Sequence, residues 1–243
     1  MKLYTLGTSH GRTEIGRACS AHLLEVNGAY YLFDCGGDVE CKITDLEIPF
    51  DDIRAVFITH MHEDHVGTLS SVVKRFYHYT KTDSRLTVYM PEQYGIDVFK
   101  KWYEAMHMRL TDKVEYKLVE EGDIYSDENI TVSAIPTLHV RNGEFPSYAY
   151  AVRTEDKKFL YTGDLNASFS DYPRIAFEED FEAILCELVH FDVEKNLDTI
   201  IKSRTKRIIF THTKPQKILE IQANADKFPF DMDIAEDGRV YDI

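Results

Sequence analysis

The sequence predicts an α/β protein arranged as a four-layer αββα sandwich, and three observations lead to that fold class. Strand-like segments form two groups along the chain, and helix-like segments follow each group. No internal repeat, low-complexity tract or linker rich in Pro, Gly and Ser separates the two groups. Strand-rich halves that each continue into helices are typical of two packed sheets with helices outside them. We therefore predict one domain over residues 1–243.

The first half of the chain opens with closely spaced strands. We predict strands at residues 2–6, 19–26, 29–34 and 54–59. Asn27-Gly28 favours a tight hairpin turn between the second and third of them. The run RAVFIT at 54–59 is continuously apolar, which is typical of a strand buried on both faces. Helices are predicted at 68–79 and at 91–108, the latter with Pro91 in its first turn.

The second half repeats this order. The predicted strands are 114–119, 130–135, 148–153, 158–162, 183–185, 207–210 and 239–241. Helices are predicted at about 193–203 and 214–227. Each strand-rich half is thus followed by helical segments, as the sandwich requires.

Composition limits where the protein acts. Apolar residues make up 44% of the chain, yet no stretch approaches the length of a membrane span. The N-terminal strand is too short and too quickly polar for a signal-peptide core, so we expect a cytoplasmic protein with no membrane partner. The four cysteines form no C-x-x-C pair, which disfavours a zinc ribbon or a thioredoxin-type site, and we expect free buried thiols at Cys19, Cys35, Cys41 and Cys186.

The charge limits the class of partner. The formal net charge is −14, with 28 basic against 42 acidic side chains. Such a surface repels a long phosphate backbone, so we expect no long nucleic acid as a partner. A small anion that meets metal ions in a pocket responds mainly to the local field, and a small anionic substrate remains compatible with this charge.

The segment FITHMHEDHVG, residues 57–67, carries the strongest chemical signal. His60 and His62 are two residues apart, so in extended backbone their rings point to the same side. Asp64 and His65 are adjacent, so we expect their side chains to diverge and to serve a different ion from that pair. Nitrogen and carboxylate ligands at this spacing favour zinc, with manganese or iron as alternatives. A polar loop that happens to contain histidines is the competing interpretation, and four ligand-type residues in six positions disfavour it.

Further ligands are expected at the ends of later strands. His139 closes the run VSAIPTL, Asp164 closes FLYTG and His212 closes IIFT. In each case an apolar strand ends in one ligand-type side chain, as is typical of the rim of an active site. Gly163 allows a tight turn directly before Asp164.

Taken together, these motifs resemble the metallo-β-lactamase fold superfamily nearly from end to end. The shared motifs are LGTSHG, YYLFDCG, THMHEDHVG, TLH, YTGD and FTHTKP. The resemblance implies the αββα sandwich and two divalent metal ions, most simply Zn²⁺. It also implies that His60, His62 and His139 hold one ion, that Asp64, His65 and His212 hold the other, and that Asp164 bridges the two. Two such ions lower the pKa of a bridging water enough to supply hydroxide near neutral pH.

The branch within the superfamily rests on looser matches. The Gly-Thr loop, Asp34-Cys35-Gly36 and the Glu187/His190 pair resemble the ribonuclease Z-like and phosphodiesterase branch most. That likeness implies His190 as general acid supported by Glu187, and two polar residues on a strand-to-helix turn is the alternative. Asp64 is expected to orient the nucleophile as well as to bind metal. Asp34 either bonds a ligand histidine or ends a strand.

The substrate and the assembly are further expectations. His10 lies on a loop that the family places near the site, so a substrate contact is hypothesised. Only residues 140–163 separate His139 from Asp164, which leaves no room for the long arm of tRNA-processing members. We therefore predict a phosphodiesterase for a small phosphodiester such as a cyclic nucleotide, with a homodimer as the family implies. The alternatives are hydrolysis of a carboxylic ester, thioester, lactone or β-lactam, and a metal-binding sensor or scaffold without catalysis.

Overall fold

The computed structural model describes residues 1–243, which divide into two compact units. The N-terminal unit comprises Met1–Gly7, Gly11–Val119 and Asp237–Asp242. The C-terminal unit comprises Thr8–His10, Glu120–Glu236 and Ile243. A single domain over residues 1–243 stays a prediction.

The N-terminal unit holds one seven-stranded sheet and four helices. Its strands are β1 (Lys2–Gly7), β2 (Ala21–Val26), β3 (Ala29–Phe33), β4 (Ile53–Phe57), β5 (Leu86–Met90), β6 (Val114–Leu118) and β14 (Arg239–Asp242). Its helices are α1 (Val39–Asp45), α2 (Glu63–Val66), α3 (Leu69–Tyr79) and α4 (Gln93–Ala105), with a 3₁₀ turn at Phe50–Asp52. The strand order is β14-β1-β2-β3-β4-β5-β6, antiparallel from β14 to β3 and parallel from β3 to β6.

Local sequence explains how this sheet forms. The hairpin between β2 and β3 turns at Asn27 and Gly28, whose φ angles of 53° and 81° match the predicted tight turn. Strand β4 is buried on both faces at Ala55, Val56 and Phe57, as its continuous apolar run predicts. The apolar sides of α1, α3 and α4 pack with the strands in one core cluster. The packed helices therefore support the parallel strands, and the loop that follows β4 starts from this rigid sheet.

The C-terminal unit also holds one seven-stranded sheet. Its strands are β7 (Gly122–Ser126), β8 (Thr131–Pro136), β9 (Tyr148–Arg153), β10 (Lys158–Tyr161), β11 (Ala183–Glu187), β12 (Arg207–Thr211) and β13 (Asp231–Ile234). Its helices are α5 (Ile175–Glu178), α6 (Val193–Ile200) and α7 (Pro215–Gln222), with 3₁₀ turns at Val140–Gly143 and Ala225–Lys227. The strand order is β13-β12-β11-β10-β9-β8-β7. The helices pack with β10, β11 and β12 in a second core cluster.

Strand direction in the C-terminal sheet decides where the predicted ligands lie. Strands β10, β11 and β12 are mutually parallel, whereas β9 is antiparallel to both β10 and β8. Strand β8 therefore runs in the same direction as β10. Because these four strands share one direction, their carboxyl ends meet at one edge of the sheet. That edge carries the residues that follow β8, β10, β11 and β12.

The α/β class is confirmed, since each half contains a sheet with helices packed on it. Six strands and helices were not predicted: α1, α2, α5, β5, β7 and β13. Strands β7 and β13 contain Asp123, Asp231 and Asp233, which have low strand propensity, and both lie at sheet edges. The predicted helix 214–227 is instead α7 followed by a separate 3₁₀ turn. None of the helices combines the length and apolar composition needed to span a bilayer.

The cysteines carry no disulfide. Cys19, Cys35 and Cys186 are free and buried as expected, whereas Cys41 is free but exposed, contrary to the expectation of burial. Burial raises the pKa of the Cys35 and Cys186 thiols well above the ordinary value, and it raises the pKa of Cys19 to about 11. These three thiols are therefore protonated at neutral pH, which disfavours them as nucleophiles or metal ligands.

Candidate metal centre

The predicted metal ligands fall into two sets, one in each unit. His60, His62, Asp64 and His65 belong to the N-terminal unit. His139, Asp164 and His212 belong to the C-terminal unit, together with His190 and Glu187.

In the N-terminal unit, the ligand segment joins the end of β4 to α2. The His62 backbone is extended, and a single helical turn begins at Glu63. His60 Nε2 lies 2.9 Å from His62 Nδ1, which confirms that the two rings point to the same side. His60 is buried and His62 is exposed, so this pair reaches from the interior to the surface.

Asp64 and His65 do not diverge, contrary to the expectation from extended backbone. Asp64 Oδ2 and His65 Nε2 are 3.6 Å apart. The reason is that both residues belong to the turn of α2, where the backbone is helical. The Gly11 N–H donates to Asp64 Oδ2 at 2.8 Å, so the Gly-Thr loop also fixes this carboxylate.

Asp34 holds the ligand segment in place through buried hydrogen bonds. It is fully buried and has a φ of 60°, so it both turns the chain after β3 and faces the ligands. The Thr59 N–H donates to Asp34 Oδ1 at 2.8 Å, and His65 Nδ1 lies 2.8 Å from Asp34 Oδ2. A carboxylate only accepts, so the His65 proton is on Nδ1 and the lone pair is on Nε2. Both interpretations of Asp34 from the sequence therefore hold.

Thr59 is a site residue that the sequence analysis missed. Its Oγ1 lies 2.9 Å from Asp34 Oδ2 and 3.0 Å from His60 Nδ1. The single hydroxyl proton is donated to the carboxylate, so His60 Nδ1–H must donate to the hydroxyl. His60 thus carries its lone pair on Nε2, the atom that faces His62. A threonine directly before the first motif histidine was the available signal.

In the C-terminal unit, three imidazoles surround Asp164. Asp164 Oδ2 lies 3.3 Å from His212 Nε2, 3.6 Å from His139 Nε2 and 3.7 Å from His190 Nδ1. Asp164 is almost fully buried, and it follows Gly163, whose φ of 55° provides the predicted tight turn. The shared edge of β8, β10 and β12 explains why residues far apart in sequence meet here. His212 has a φ of 49°, a conformation that L residues adopt only at a cost.

The His139 ring is oriented by a hydrogen bond to Leu165, and the His190 ring is oriented by one to Glu187. His139 Nδ1 lies 3.2 Å from the carbonyl oxygen of Leu165, so its lone pair is on Nε2. Glu187 ends β11 and is fully buried; its Oε1 lies 3.1 Å from His190 Nδ1. Glu187 also accepts the backbone N–H groups of Leu165, Val189 and His190. Glu187 therefore both shapes this edge and orients His190.

His10 and Asp171 complete the C-terminal set. Ser9 forms an isolated parallel bridge with Thr213, which places the neighbouring His10 beside the backbone that follows His212. Asp171 was missed by the sequence analysis. It accepts the N–H of Leu138 at 2.7 Å and that of Asn166 at 2.9 Å, so it joins the segments after β8 and β10.

The donor chemistry fits divalent metal ions. His60, His65 and His139 each use Nδ1 to donate to a hydroxyl, carboxylate or carbonyl oxygen, which leaves the Nε2 lone pair for another partner. An oriented imidazole of this kind is typical of metal-bound histidine. The ligand atoms of His139, Asp164 and His190 also lie within 4.8 Å of one another. Imidazole and carboxylate donors together suit zinc and similar ions.

Comparisons with known proteins place these observations in a family. The family described as anti-Pycsar protein Apyc1 matches residues 1–230. The ribonuclease Z of Brevibacillus brevis is 33% identical over 156 residues, which cover 63% of this chain and 47% of that protein. The chain spans about half the length of the curated relatives it matches.

Solved structures agree in fold. The short form of human tRNase Z matches with a TM-score of 0.78 and 19% identity, over 100% of this chain and 99% of that one. The metallo-β-lactamase fold protein YhfI from Bacillus subtilis matches with a TM-score of 0.77 and 19% identity, over 99% of each chain. The metallo-β-lactamase fold predicted from the motifs is therefore confirmed.

Proposed function

Because the chain belongs to the family of the anti-Pycsar protein Apyc1, we propose that it is a dinuclear phosphodiesterase for a small phosphodiester such as a cyclic nucleotide. A metal-dependent hydrolase of the ribonuclease Z-like branch is supported by the curated relatives, and the shared fold is compatible with it. The observation that supports the proposal most is the presence, in each unit, of histidines and carboxylates already oriented by buried hydrogen bonds.

The proposed metal ligands are those implied by the resemblance to the metallo-β-lactamase fold superfamily. His60, His62 and His139 would hold one ion and Asp64, His65 and His212 would hold the other, with Asp164 as the ligand that both would share. Zn²⁺ is the proposed ion, with Mn²⁺ or Fe²⁺ as alternatives. When bound, such ions act as Lewis acids toward phosphoryl oxygens and lower the pKa of water.

The chain's own residues supply orientation and proton transfer. Asp64, held by the Gly11 N–H, orients the attacking water. His190 donates a proton to the leaving oxygen, because its Nδ1 is held 3.1 Å from Glu187 Oε1 and its side chain is 29% exposed. Glu187 is itself buried and accepts three backbone N–H groups, so it keeps the His190 ring in place. His10, next to the Ser9–Thr213 bridge, contacts the substrate.

The short segment between His139 and Asp164 is compatible with a small substrate. Residues 140–163 form a 3₁₀ turn, β9 and β10, so they are taken up by the sheet itself. The net charge of −14 disfavours a long phosphate backbone. A small phosphodiester carries one negative charge, which two divalent cations readily attract.

A substrate panel with metal analysis tests the proposal. We expect about two metal ions per chain and turnover of p-nitrophenyl phosphodiesters and 3′,5′-cyclic nucleotides that chelation abolishes. Phosphomonoesters, carboxylic esters and lactones serve as comparison substrates, and a structured precursor RNA should not be cleaved. Ester or lactone turnover alone would support the carboxylic ester alternative. Two bound ions without any turnover would support the sensor alternative.

We also propose that the chain forms a homodimer through the exposed side of α4. Tyr94, Val98 and Trp102 repeat every four residues and are exposed, whereas Tyr103 is buried in the core. Asp97 and Lys101 flank this stripe, so the face carries both signs of charge on a chain of strongly negative net charge. A second copy related by a twofold axis can therefore meet it with apolar contact and little repulsion.

Light scattering of purified protein tests the dimer. Trp102→Glu is expected to convert the dimer to monomer, because it places a charge in the centre of the apolar stripe. Leu219→Glu, an equally drastic change at an exposed apolar residue of α7, serves as the control and should leave the dimer intact. A wild-type protein that is monomeric at micromolar concentration would contradict the proposal.

A further inference from the structure

The segment Leu138–Phe145, called here the 138–145 loop, directly follows β8 and contains the predicted ligand His139. Three successive residues in it, Arg141, Asn142 and Gly143, have left-handed φ angles of 47°, 56° and 85°. Arginine adopts this conformation at a cost of about 1 kcal/mol or more, whereas asparagine and glycine tolerate it better. The loop is therefore held in a defined shape by contacts elsewhere.

Those contacts join the 138–145 loop to the segment that follows Asp164. Asn142 Oδ1 accepts from Asn166 Nδ2 at 2.9 Å, and the Leu138 N–H donates to Asp171 at 2.7 Å. His139 Nδ1 donates to the carbonyl oxygen of Leu165 at 3.2 Å. Because the start and the centre of the loop are both bonded to the segment after Asp164, the backbone that carries Arg141 keeps a defined position relative to His139 and Asp164.

The exposed side chains of the loop combine a cation with apolar surface. Arg141 is 71% exposed, and its guanidinium lies 5.3 Å from the centre of the Phe145 ring. Phe145 and Leu138 are themselves partly exposed. Glu144 is 3.9 Å from the guanidinium, but an exposed ion pair at that distance contributes little and leaves Arg141 available to a ligand.

We propose that the 138–145 loop selects the substrate, with Arg141 contacting the phosphodiester anion and Phe145 contacting the flat face of a nucleobase. A guanidinium offers several N–H donors to phosphoryl oxygens, and an aromatic ring stacks on any base. Arg141 lies two residues after His139 and Phe145 lies six residues after it, on a loop bonded to the segment that follows Asp164. This inference rests on the proposed phosphodiesterase function and adds the groups that recognise its substrate.

Measuring the binding of a slowly hydrolysed analogue at equilibrium tests substrate recognition separately from catalysis. The probe is adenosine 3′,5′-cyclic phosphorothioate, a slowly hydrolysed analogue, titrated calorimetrically into the metal-loaded protein. Arg141→Ala is expected to weaken binding about tenfold or more, with Arg141→Lys between it and the wild type. Phe145→Ala is expected to weaken binding about fivefold or more through loss of stacking. Metal content should be unchanged in all three variants.

The matched control is Arg174→Ala, which removes an exposed arginine of the same unit. It should leave binding unchanged. Steady-state turnover of the corresponding cyclic nucleotide should show KM raised and kcat nearly unchanged in Arg141→Ala. Equal binding by the wild type and Arg141→Ala would overturn the role of the loop. Binding that depends on Arg141 without turnover would overturn the phosphodiesterase function but keep the loop, and no binding by the wild type would overturn both.

Discussion

Asp164→Asn is expected to lower kcat/KM on a phosphodiester by roughly 10²- to 10³-fold and to reduce the metal content of the purified protein. The three ring nitrogens around Asp164 Oδ2, at 3.3 Å, 3.6 Å and 3.7 Å, converge on one almost fully buried carboxylate. Asparagine has the same shape but no charge, and one of its two terminal atoms becomes a donor that repels a cation. The proposed bridge between two ions is therefore lost without a large change in packing.

Metal analysis, kinetics and thermal unfolding together measure this effect. The control is Asp198→Asn, which removes a carboxylate from the exposed side of α6. The control should bind metal and turn over substrate like the wild type. In the presence of a chelator, Asp164→Asn and the wild type should unfold at similar temperatures, since neither then holds metal. Full metal content and full turnover in Asp164→Asn would show that Asp164 does not bridge the ions.

The C-terminal ligands could be predicted from sequence because each follows its own apolar strand. An apolar run that stops at one His or Asp indicates both the strand and the position of the side chain at its end. The parallel direction of β10, β11 and β12 then brings Asp164, Glu187 and His212 to the same edge. Local sequence contains this information because strand length and strand end are local properties.

The N-terminal site was predicted less completely. The residues of the H-x-H-x-D-H motif were recognised, but the relation between Asp64 and His65 was wrong because the helix starts inside the motif. Thr59 was missed because its role depends on Asp34, which is brought close by the pairing of β3 with β4. Asp171 was missed for the same reason, since its partners lie on two separate segments. Residues that orient ligands through tertiary contacts leave little trace in the local pattern.

Gly36→Ala is expected to destabilise the protein by about 3 kcal/mol or more and to abolish metal binding by the N-terminal ligands. A Cβ atom at Gly36 would overlap the carbonyl oxygen of Asp64, and it would lie 2.6 Å from the Asp64 carbonyl carbon and 2.9 Å from the Ser20 carbonyl oxygen. All three atoms are backbone, so no side chain can turn away to make room. The strain must displace either β2 or the segment that carries Asp64.

The hydrogen bonds around Gly36 make the displacement of the ligands the expected result. The Gly36 N–H donates to the Ser20 carbonyl at 2.9 Å, and the Cys35 N–H donates to the His65 carbonyl at 2.6 Å. Any shift that relieves the overlap therefore moves the backbone of Asp64 and His65 together. Ligand atoms must keep their positions within a few tenths of an ångström to bind metal, so a shift of this size disrupts the site.

Gly28→Ala is the matched control for this substitution. Gly28 lies in the turn between β2 and β3 of the same sheet, has a φ of 81° and has open space where a Cβ would be. Alanine there is expected to cost about 1 kcal/mol through backbone strain alone and to leave metal binding unchanged. Urea unfolding and metal analysis of both variants compare the two effects directly. If Gly36→Ala were no less stable than Gly28→Ala and kept its metal, the close approach of Gly36 to Asp64 would not position the ligands.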